Sequence, residues 1–172
     1  MNDIYLFTVP VFQKSLTALD GILAKAQDFV KEKGADEAAL LEVRLWPDMF
    51  PLKKQVQVAC DNAKGVVARL SGTEIPVFAD EEKTLAELRA RISKTLDFVK
   101  GIPEDSFKDA ATRKITMSYF PGKFMTGFDY AREYAVPNFL FHVVTAYDLL
   151  RKEGVQIGKS DYIGGMPLQD EA

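Results

Sequence analysis

Apolar residues recur every three or four positions in four long stretches of the chain, which is the spacing of one face of an α-helix. The first stretch predicts a helix that begins near Thr8 and ends before Gly34. The second predicts a helix over about 49–70 with Asp48 as its N-cap, because an aspartate can accept hydrogen bonds from the first free backbone N–H groups. The connector between these helices is predicted to contain a helical turn at Asp36–Leu41.

The third and fourth stretches predict two further helices. The third begins at Thr84 and runs to about Lys100, and Thr84 with Glu87 matches a capping box. The fourth runs from Pro137 to about residue 153 and is apolar on more than one side, so it should be the most buried. The predicted fold is therefore mainly α, a four-helix bundle, and bundles place their sites on facing helices.

The segment before the last helix has a different pattern. Apolar and polar residues alternate within about 113–128, around a Pro-Gly pair, which predicts a short β-hairpin inserted before the last long helix. The run 129–135 is predicted to be a short helix. Residues 155–172 contain four apolar residues between glycines and are expected to form an irregular C-terminal strap across the bundle.

Composition places the chain among ordinary globular proteins. Its 172 residues have the length of one domain, 1–172, with 47% hydrophobic and 27% charged residues. The net charge of −3 and the lack of a basic patch argue against nucleic-acid binding. No long apolar run predicts a membrane span or a secretory signal, so we expect a cytoplasmic protein that does not bind membranes.

The chain contains one cysteine and one histidine, which limits its chemistry. Cys60 excludes an internal disulfide, and its apolar helical surroundings predict an inert thiol with a raised pKa. His142 excludes any metal site that needs two imidazoles from one chain. Nucleophile-elbow, phosphate-loop and dinucleotide motifs are absent, so no cofactor is expected.

His142 is the first candidate for a functional side chain, and two interpretations remain open. It could be a neutral core histidine bonded to Asn138, a backbone carbonyl or a water, with a pKa lowered by burial. Alternatively, it could be an acid–base catalyst that Asn138 orients and that Asp61 or Tyr147 assists. Asp61 is otherwise expected to be solvated or salt-bridged.

Aromatic residues supply the candidates for a ligand pocket. Around His142, we consider Trp46, Phe139 and Tyr147 as lining residues, although such side chains more often belong to the core.

Three segments resemble the DinB/YfiT-like superfamily. They are 46–52 running on to Asp61, 137–151, and the closing 158–164, which resembles more narrowly a bacterial branch known only as a domain of unknown function. The resemblance implies a homodimeric four-helix bundle. Many members bind a divalent metal through three histidines, one from the second helix and two from the last, and some are thiol-dependent transferases or isomerases.

The three-histidine metal site is incomplete in this sequence. His142 matches the first histidine of the last-helix pair, but Ala146 stands at the second position and the remaining ligand falls near Val58. Neither of these side chains can bind a cation, so the resemblance implies the fold without the metal, and no metal ligand is assigned.

These observations leave two function hypotheses. The chain is a dimeric module that binds a small molecule or a partner, or it is an enzyme with a rebuilt site around His142. We predict a homodimer that forms through a face of the bundle rather than the hairpin tip. The exposed apolar candidates are Phe7, Val11, Phe12, Phe120 and Phe124.

Overall fold

The computed structural model describes residues 2–171 and is mainly helical. The helices are α1 Asp3–Leu6, α2 Val9–Lys33, α3 Glu37–Glu42, α4 Leu52–Ser71, α5 Leu85–Gly101, α6 Gly127–Asp129, α7 Val136–Lys152 and α8 Lys159–Ile163. A 3₁₀ turn covers Glu104–Phe107, and a π-helical segment covers Tyr130–Ala135. The two strands, β1 Lys114–Ile115 and β2 Met125–Thr126, pair antiparallel with Ile115 opposite Met125.

The four long helices form the predicted bundle. In order around the bundle, α2 packs on α5, α5 on α4, α4 on α7, and α7 back on α2. Their apolar faces meet in one core, in which the rings of Phe12 and Phe139 pack edge to face with centroids 4.7 Å apart. Among the described residues, no helix is long and apolar enough to cross a membrane.

Helix ends follow the local sequence signals in most places. Gly34 and Gly72 end α2 and α4 in the left-handed conformation, with φ of 62° and 78°. The capping box of Thr84 and Glu87 is present, and Asp36 caps α3. The predicted helical turn after α2 is confirmed as α3.

The predicted N-cap at Asp48 is wrong. Helix α4 begins at Leu52 with Pro51 at the N-cap position, and Asp48 lies in a turn where the Met49 N–H donates to the Trp46 carbonyl at 3.0 Å. The reason is steric, because a proline disfavours helical backbone angles in the residue before it. Phe50 therefore cannot join the helix, and the helix begins only after Pro51.

The last helix begins earlier than predicted. From Gly127 the chain is helical without a break through α6 and the π-helical segment into α7, and it ends at Lys152. Pro137 is the second residue of α7 and follows directly on the wide π turns. Since proline lacks an N–H and its ring crowds the preceding turn, a π-helical segment at this point can accommodate it within a continuous helix.

The hairpin is shorter than predicted, and its base is anchored to the bundle. A Cβ at Gly127 would lie 1.8 Å from the Ala110 carbonyl oxygen, so only glycine fits at this close approach. The Phe128 N–H donates to the Ala111 carbonyl at 3.0 Å. These contacts hold the returning strand against the residues that follow the 3₁₀ turn.

The C-terminal strap is not wholly irregular, because it contains α8. The Asp161 carboxylate accepts a hydrogen bond from the Gly158 N–H at 2.8 Å and pairs with Lys25 of α2 at 2.7 Å. Val155 and Ile157 are buried in the core. The strap is therefore attached to α2 both by apolar packing and by an ion pair.

Candidate functional site

The candidate site lies where α4 and α7 pack together, and His142 is its central residue. The ring is nearly buried, with 8% of the residue exposed, and Nδ1 lies 2.7 Å from Oε1 of Gln55 on α4. The Gln55 side chain is also buried, and its Nε2 donates to the Phe50 carbonyl at 3.0 Å. A hydrogen-bonded pair thus joins the two helices at this level.

The hydrogen bonds of Gln55 determine which ring nitrogen of His142 carries the proton. The Phe50 carbonyl can only accept, so the amide atom that faces it must be the nitrogen and the amide oxygen must face the ring. That oxygen also only accepts, so Nδ1 carries the hydrogen and Nε2 of the neutral ring has a free lone pair. This assignment follows from the hydrogen-bond network.

The Nε2 atom of His142 borders the surface. It has no hydrogen bond to the described residues, and it is not among the buried polar atoms without a partner. Phe141, which is about half exposed, packs edge-on to the ring with centroids 5.3 Å apart. The arrangement presents one oriented hydrogen-bond acceptor beside an exposed aromatic ring.

Burial lowers the pKa of His142 below its usual value near 6.5. The hydrogen-bond partner of the ring is a neutral amide, so the ring is neutral at pH 7. The predicted direction of the shift is confirmed, but Asn138, one of the three predicted partners, does not bond the ring. Asn138 instead donates through Nδ2 to Oδ1 of Asn62 at 2.9 Å, one helical level away.

Asp61 is salt-bridged and takes no part in the His142 site. Its carboxylate lies 2.8 Å from Nη2 of Arg91 and 3.0 Å from Nζ of Lys64. The same Arg91 guanidinium, only 2% exposed, also binds Asp80 at 2.9 Å and Glu82 at 2.9 Å. This Arg91 cluster holds the loop before α5 against α4 and α5, which confirms the salt-bridged interpretation of Asp61.

The charges of the Arg91 cluster shift the pKa values of its carboxyls. Burial raises the pKa of Asp80, but hydrogen bonds and charge from Lys54 and Arg91 outweigh it, so the pKa falls below its usual value. At Glu82, burial is likewise outweighed by hydrogen bonds from Arg91 and Gln57, and the pKa is lowered. Both side chains are therefore ionised in the folded protein at neutral pH.

The aromatic pocket expected around His142 does not form. Phe139 is fully buried against Phe12, Tyr147 packs on Tyr162 of α8 with centroids 6.1 Å apart, and Trp46 is 69% exposed. Within residues 2–171, the cavities that the structure describes are lined by other side chains.

The residues at this level of the bundle do not fit a divalent metal. The two positions that match missing histidines hold the aliphatic side chains of Val58 and Ala146, and the one imidazole already bonds through Nδ1 to Gln55. In the described part of the chain, no group of three His, Cys, Asp or Glu side chains is placed to hold a metal ion.

Cys60 is also unsuited to chemistry. Burial raises the pKa of its thiol to about 12, which a hydrogen bond with Thr95 and the nearby charge of Arg91 offset only in part. The thiol is therefore protonated at neutral pH and shielded from solvent, as predicted.

Concave space is found at the hairpin instead. One cavity of about 280 Å³ is mostly apolar, and a second of about 390 Å³ is polar and apolar in equal measure. They share Met117, Phe120 and Lys123. Sequence reasoning named Phe120 only as an exposed apolar residue; the alternation of Ile115, Met117 and Tyr119 was the signal for one common face.

Comparison with known families identifies the chain. The family described as "Domain of unknown function (DUF1993)" matches residues 4–163. The chain belongs to the DUF1993 family. A crystal structure of a DinB family member protein from Shewanella denitrificans is 46% identical to this DUF1993 chain, with a TM-score of 0.93, covering 97% of this chain and 95% of that one. The DinB-like assignment is thereby confirmed. No curated protein matches the chain.

Proposed function

We propose that this DUF1993 protein is a homodimeric module that binds a small molecule and does not use the metal chemistry of the wider superfamily. One observation supports this most directly. His142, which matches one histidine of the superfamily metal site, pairs with the neutral amide of Gln55, while open apolar space lies at the hairpin. Neutral amide and imidazole groups that satisfy each other favour a packing role over catalysis.

The proposed dimer interface is an apolar surface beside His142, which we call the α7 face. Its members are exposed large apolar side chains, three in the loop before α4 and two on α7: Leu45, Trp46, Phe50, Phe141 and Val144. Two contacts bring the loop and the helix together. The Phe50 carbonyl binds Gln55, which binds His142, and Lys152 Nζ lies 3.5 Å from the Arg44 carbonyl.

The structure corrects part of the set of exposed apolar residues that the sequence suggested for the dimer interface. Phe12 is fully buried, and Phe7 and Val11 are half-buried, so the start of α2 offers little apolar surface. Phe120 and Phe124 are exposed at the hairpin. The α7 face is favoured because Phe141 and Val144 lie on a long helix of the bundle, and DinB-like proteins are typically dimers. Contiguous exposed apolar surface of this kind commonly marks an interface.

We predict a dimer at micromolar concentration by multi-angle light scattering. Phe141→Glu should convert it to a monomer, because a carboxylate would lose its hydration at the centre of an apolar interface. Phe124→Glu, a matched change at the hairpin, should leave the dimer intact. A monomeric wild-type protein would contradict the dimer, and dissociation by Phe124→Glu alone would move the interface to the hairpin.

We predict that the purified, untagged protein carries no stoichiometric transition metal. The reason is the donor set at the superfamily site, which offers one imidazole nitrogen and no carboxylate or thiolate. Elemental analysis after purification without chelators measures this. About one equivalent of zinc or nickel, lost in His142→Ala, would show that the site does bind metal.

The second candidate function is an enzyme that uses His142 as an acid or base. The oriented Nε2 lone pair at the surface is the observation that favours it. Catalysis would require a second reacting group at that nitrogen, and neither Asp61 nor Tyr147 is placed there by its contacts. The titration of His142, followed by NMR, separates the two candidates.

A further inference from the structure

The hairpin segment, residues 111–128, differs in charge from the rest of the chain. It carries Arg113, Lys114 and Lys123 and no acidic residue, although the whole chain has a net charge of −3. Among the described residues, neither lysine forms an ion pair. Lysine ammonium groups that are not neutralised in an ion pair give this segment an attraction for anions.

The apolar cavity of the hairpin has the character of a small-ligand site. Its volume of about 280 Å³ lies close to the lower limit of such sites, roughly 300 Å³. Ile115 and Met117 are its buried residues, Phe120 and Phe124 are about half exposed, and Lys123 is its one charged member. Apolar walls suit the tail of an amphiphile, and the ammonium group of Lys123 suits an anionic head group.

Contacts outside the apolar cavity hold its two aromatic walls in place. The Tyr119 ring packs edge-on to Phe120 with centroids 5.1 Å apart, and the Tyr119 hydroxyl lies 2.7 Å from that of Tyr134. On the other wall, Nζ of Lys114 lies 4.5 Å from the centre of the Phe124 ring. A cavity whose walls are already positioned loses less entropy when it binds a ligand.

The second hairpin cavity supplies polar groups next to the apolar one. It is about 390 Å³ in volume, and its polar side chains are Lys114, Thr116, Ser118 and Lys123. Because the two cavities share Met117, Phe120 and Lys123, one molecule can occupy both. Two ammonium groups and two hydroxyls are donors that suit a carboxylate head group.

We propose that the hairpin of this protein binds a small carboxylate with an apolar tail, the tail between Phe120 and Phe124 and the carboxylate between Lys114 and Lys123. The inference rests on the proposed binding function and names the ligand class. A basic, aromatic hairpin also suits an anionic membrane surface. The preformed concave walls favour a single small molecule, and the experiment below includes vesicles as an opposing outcome.

The experiment uses three probes on the full-length protein: octanoate, octylamine and acetate. Binding is followed by the NMR signals of the side-chain methyl groups of Ile115, Met117 and Met125, with a Leu16 methyl in the bundle core as reference. Octanoate should shift the three hairpin methyls in a saturable manner and leave Leu16 unchanged. Octylamine carries the opposite charge and acetate lacks the tail, so each should bind at least about tenfold more weakly.

The charge requirement is tested by a pair of matched double variants. Lys114→Gln with Lys123→Gln should weaken octanoate binding about tenfold, since two exposed ion pairs with the carboxylate are lost. Lys31→Gln with Lys33→Gln, at the exposed end of α2, should leave the affinity unchanged. Far-UV circular dichroism and thermal melting establish that both variants are folded.

Three results would overturn the inference, and they differ in what they say about the proposed function. Octylamine binding as tightly as octanoate would overturn the carboxylate class and leave small-molecule binding standing. Hairpin shifts with vesicles of anionic lipid but not with octanoate would assign the segment to a membrane surface. No shift with any probe would also remove the support for small-molecule binding, whereas the dimer is judged separately by light scattering.

Discussion

Arg91→Met should lower the free energy of unfolding by about 3–5 kcal/mol, measured by urea denaturation at pH 7. The Arg91 side chain is almost entirely buried and binds three carboxylates, those of Asp61, Asp80 and Glu82. Removing the guanidinium leaves these negative charges close together without their shared partner, and methionine restores only the volume. The loop before α5 should detach first, because it carries two of the carboxylates.

The matched control for this variant is Arg89→Met on the same helix. Arg89 forms a bidentate pair with Asp20 at 2.8 and 3.0 Å, but its side chain is about a third exposed. Its loss should therefore cost no more than about 1 kcal/mol. An equal or smaller effect of Arg91→Met would show that the cluster is solvated in solution.

Arg91→Met should also change how the free energy of unfolding depends on pH. The pKa values of Asp80 and Glu82 are lowered in the folded state, so the unfolded chain binds protons more readily than the native protein as the solution is acidified. Their contribution to stability is present above their unfolded values of about 4, and it is lost as pH falls through the lower folded values. In Arg91→Met this loss should be smaller, because the main cause of the lowered pKa at Glu82 is gone, while Lys54 still lowers the pKa of Asp80.

His142→Ala should lower the free energy of unfolding by about 2–4 kcal/mol. The change leaves a cavity between α4 and α7 and removes the donor that satisfies the buried amide oxygen of Gln55. His142→Gln should cost less, because its amide can still donate to Gln55. If both substitutions are neutral, His142 does not determine how the two helices pack.

The titration of His142 distinguishes the packing role from catalysis. Because burial lowers the folded pKa, the unfolded chain binds a proton at higher pH than the native protein does. Stability should therefore fall as pH decreases below about 6.5 and level off once the folded ring is protonated. His142→Gln should show no such slope between about pH 5 and 7. A ring that titrates by NMR at or above its usual value, open to solvent, would favour the acid–base role.

Local sequence determined most of the bundle. The apolar spacing that predicts each long helix depends only on residues three or four apart, and glycine stops such as Gly34 and Gly72 act within one turn. The exception at Asp48 was a conflict between two local signals, in which the steric effect of Pro51 outweighed the capping preference. The burial of His142 followed in the same way from the apolar helix that carries it.

Partners across the fold were decided only by the tertiary structure. Gln55 lies 87 residues from His142, and no periodicity within α7 indicates which residue of α4 will face it. A buried polar residue among the apolar positions Leu52, Val56 and Ala59 was the one signal in the sequence. It shows that some partner is needed, because a buried amide must be satisfied, but it does not identify that partner.

The Arg91 cluster and the hairpin cavities depend in the same way on how separate segments pack. Arg91 lies on α5 at the spacing of buried positions. Its partners come from α4 and from the loop before α5, which has no periodicity. They meet Arg91 only because α4 packs against α5. The hairpin returns to the bundle where Gly127 meets Ala110, so its position depends on a contact between separate segments. Helix formation and capping act within a few residues, so the sequence by itself determined the elements; ion pairs and cavities require atoms from distant segments, so only the folded chain decided them.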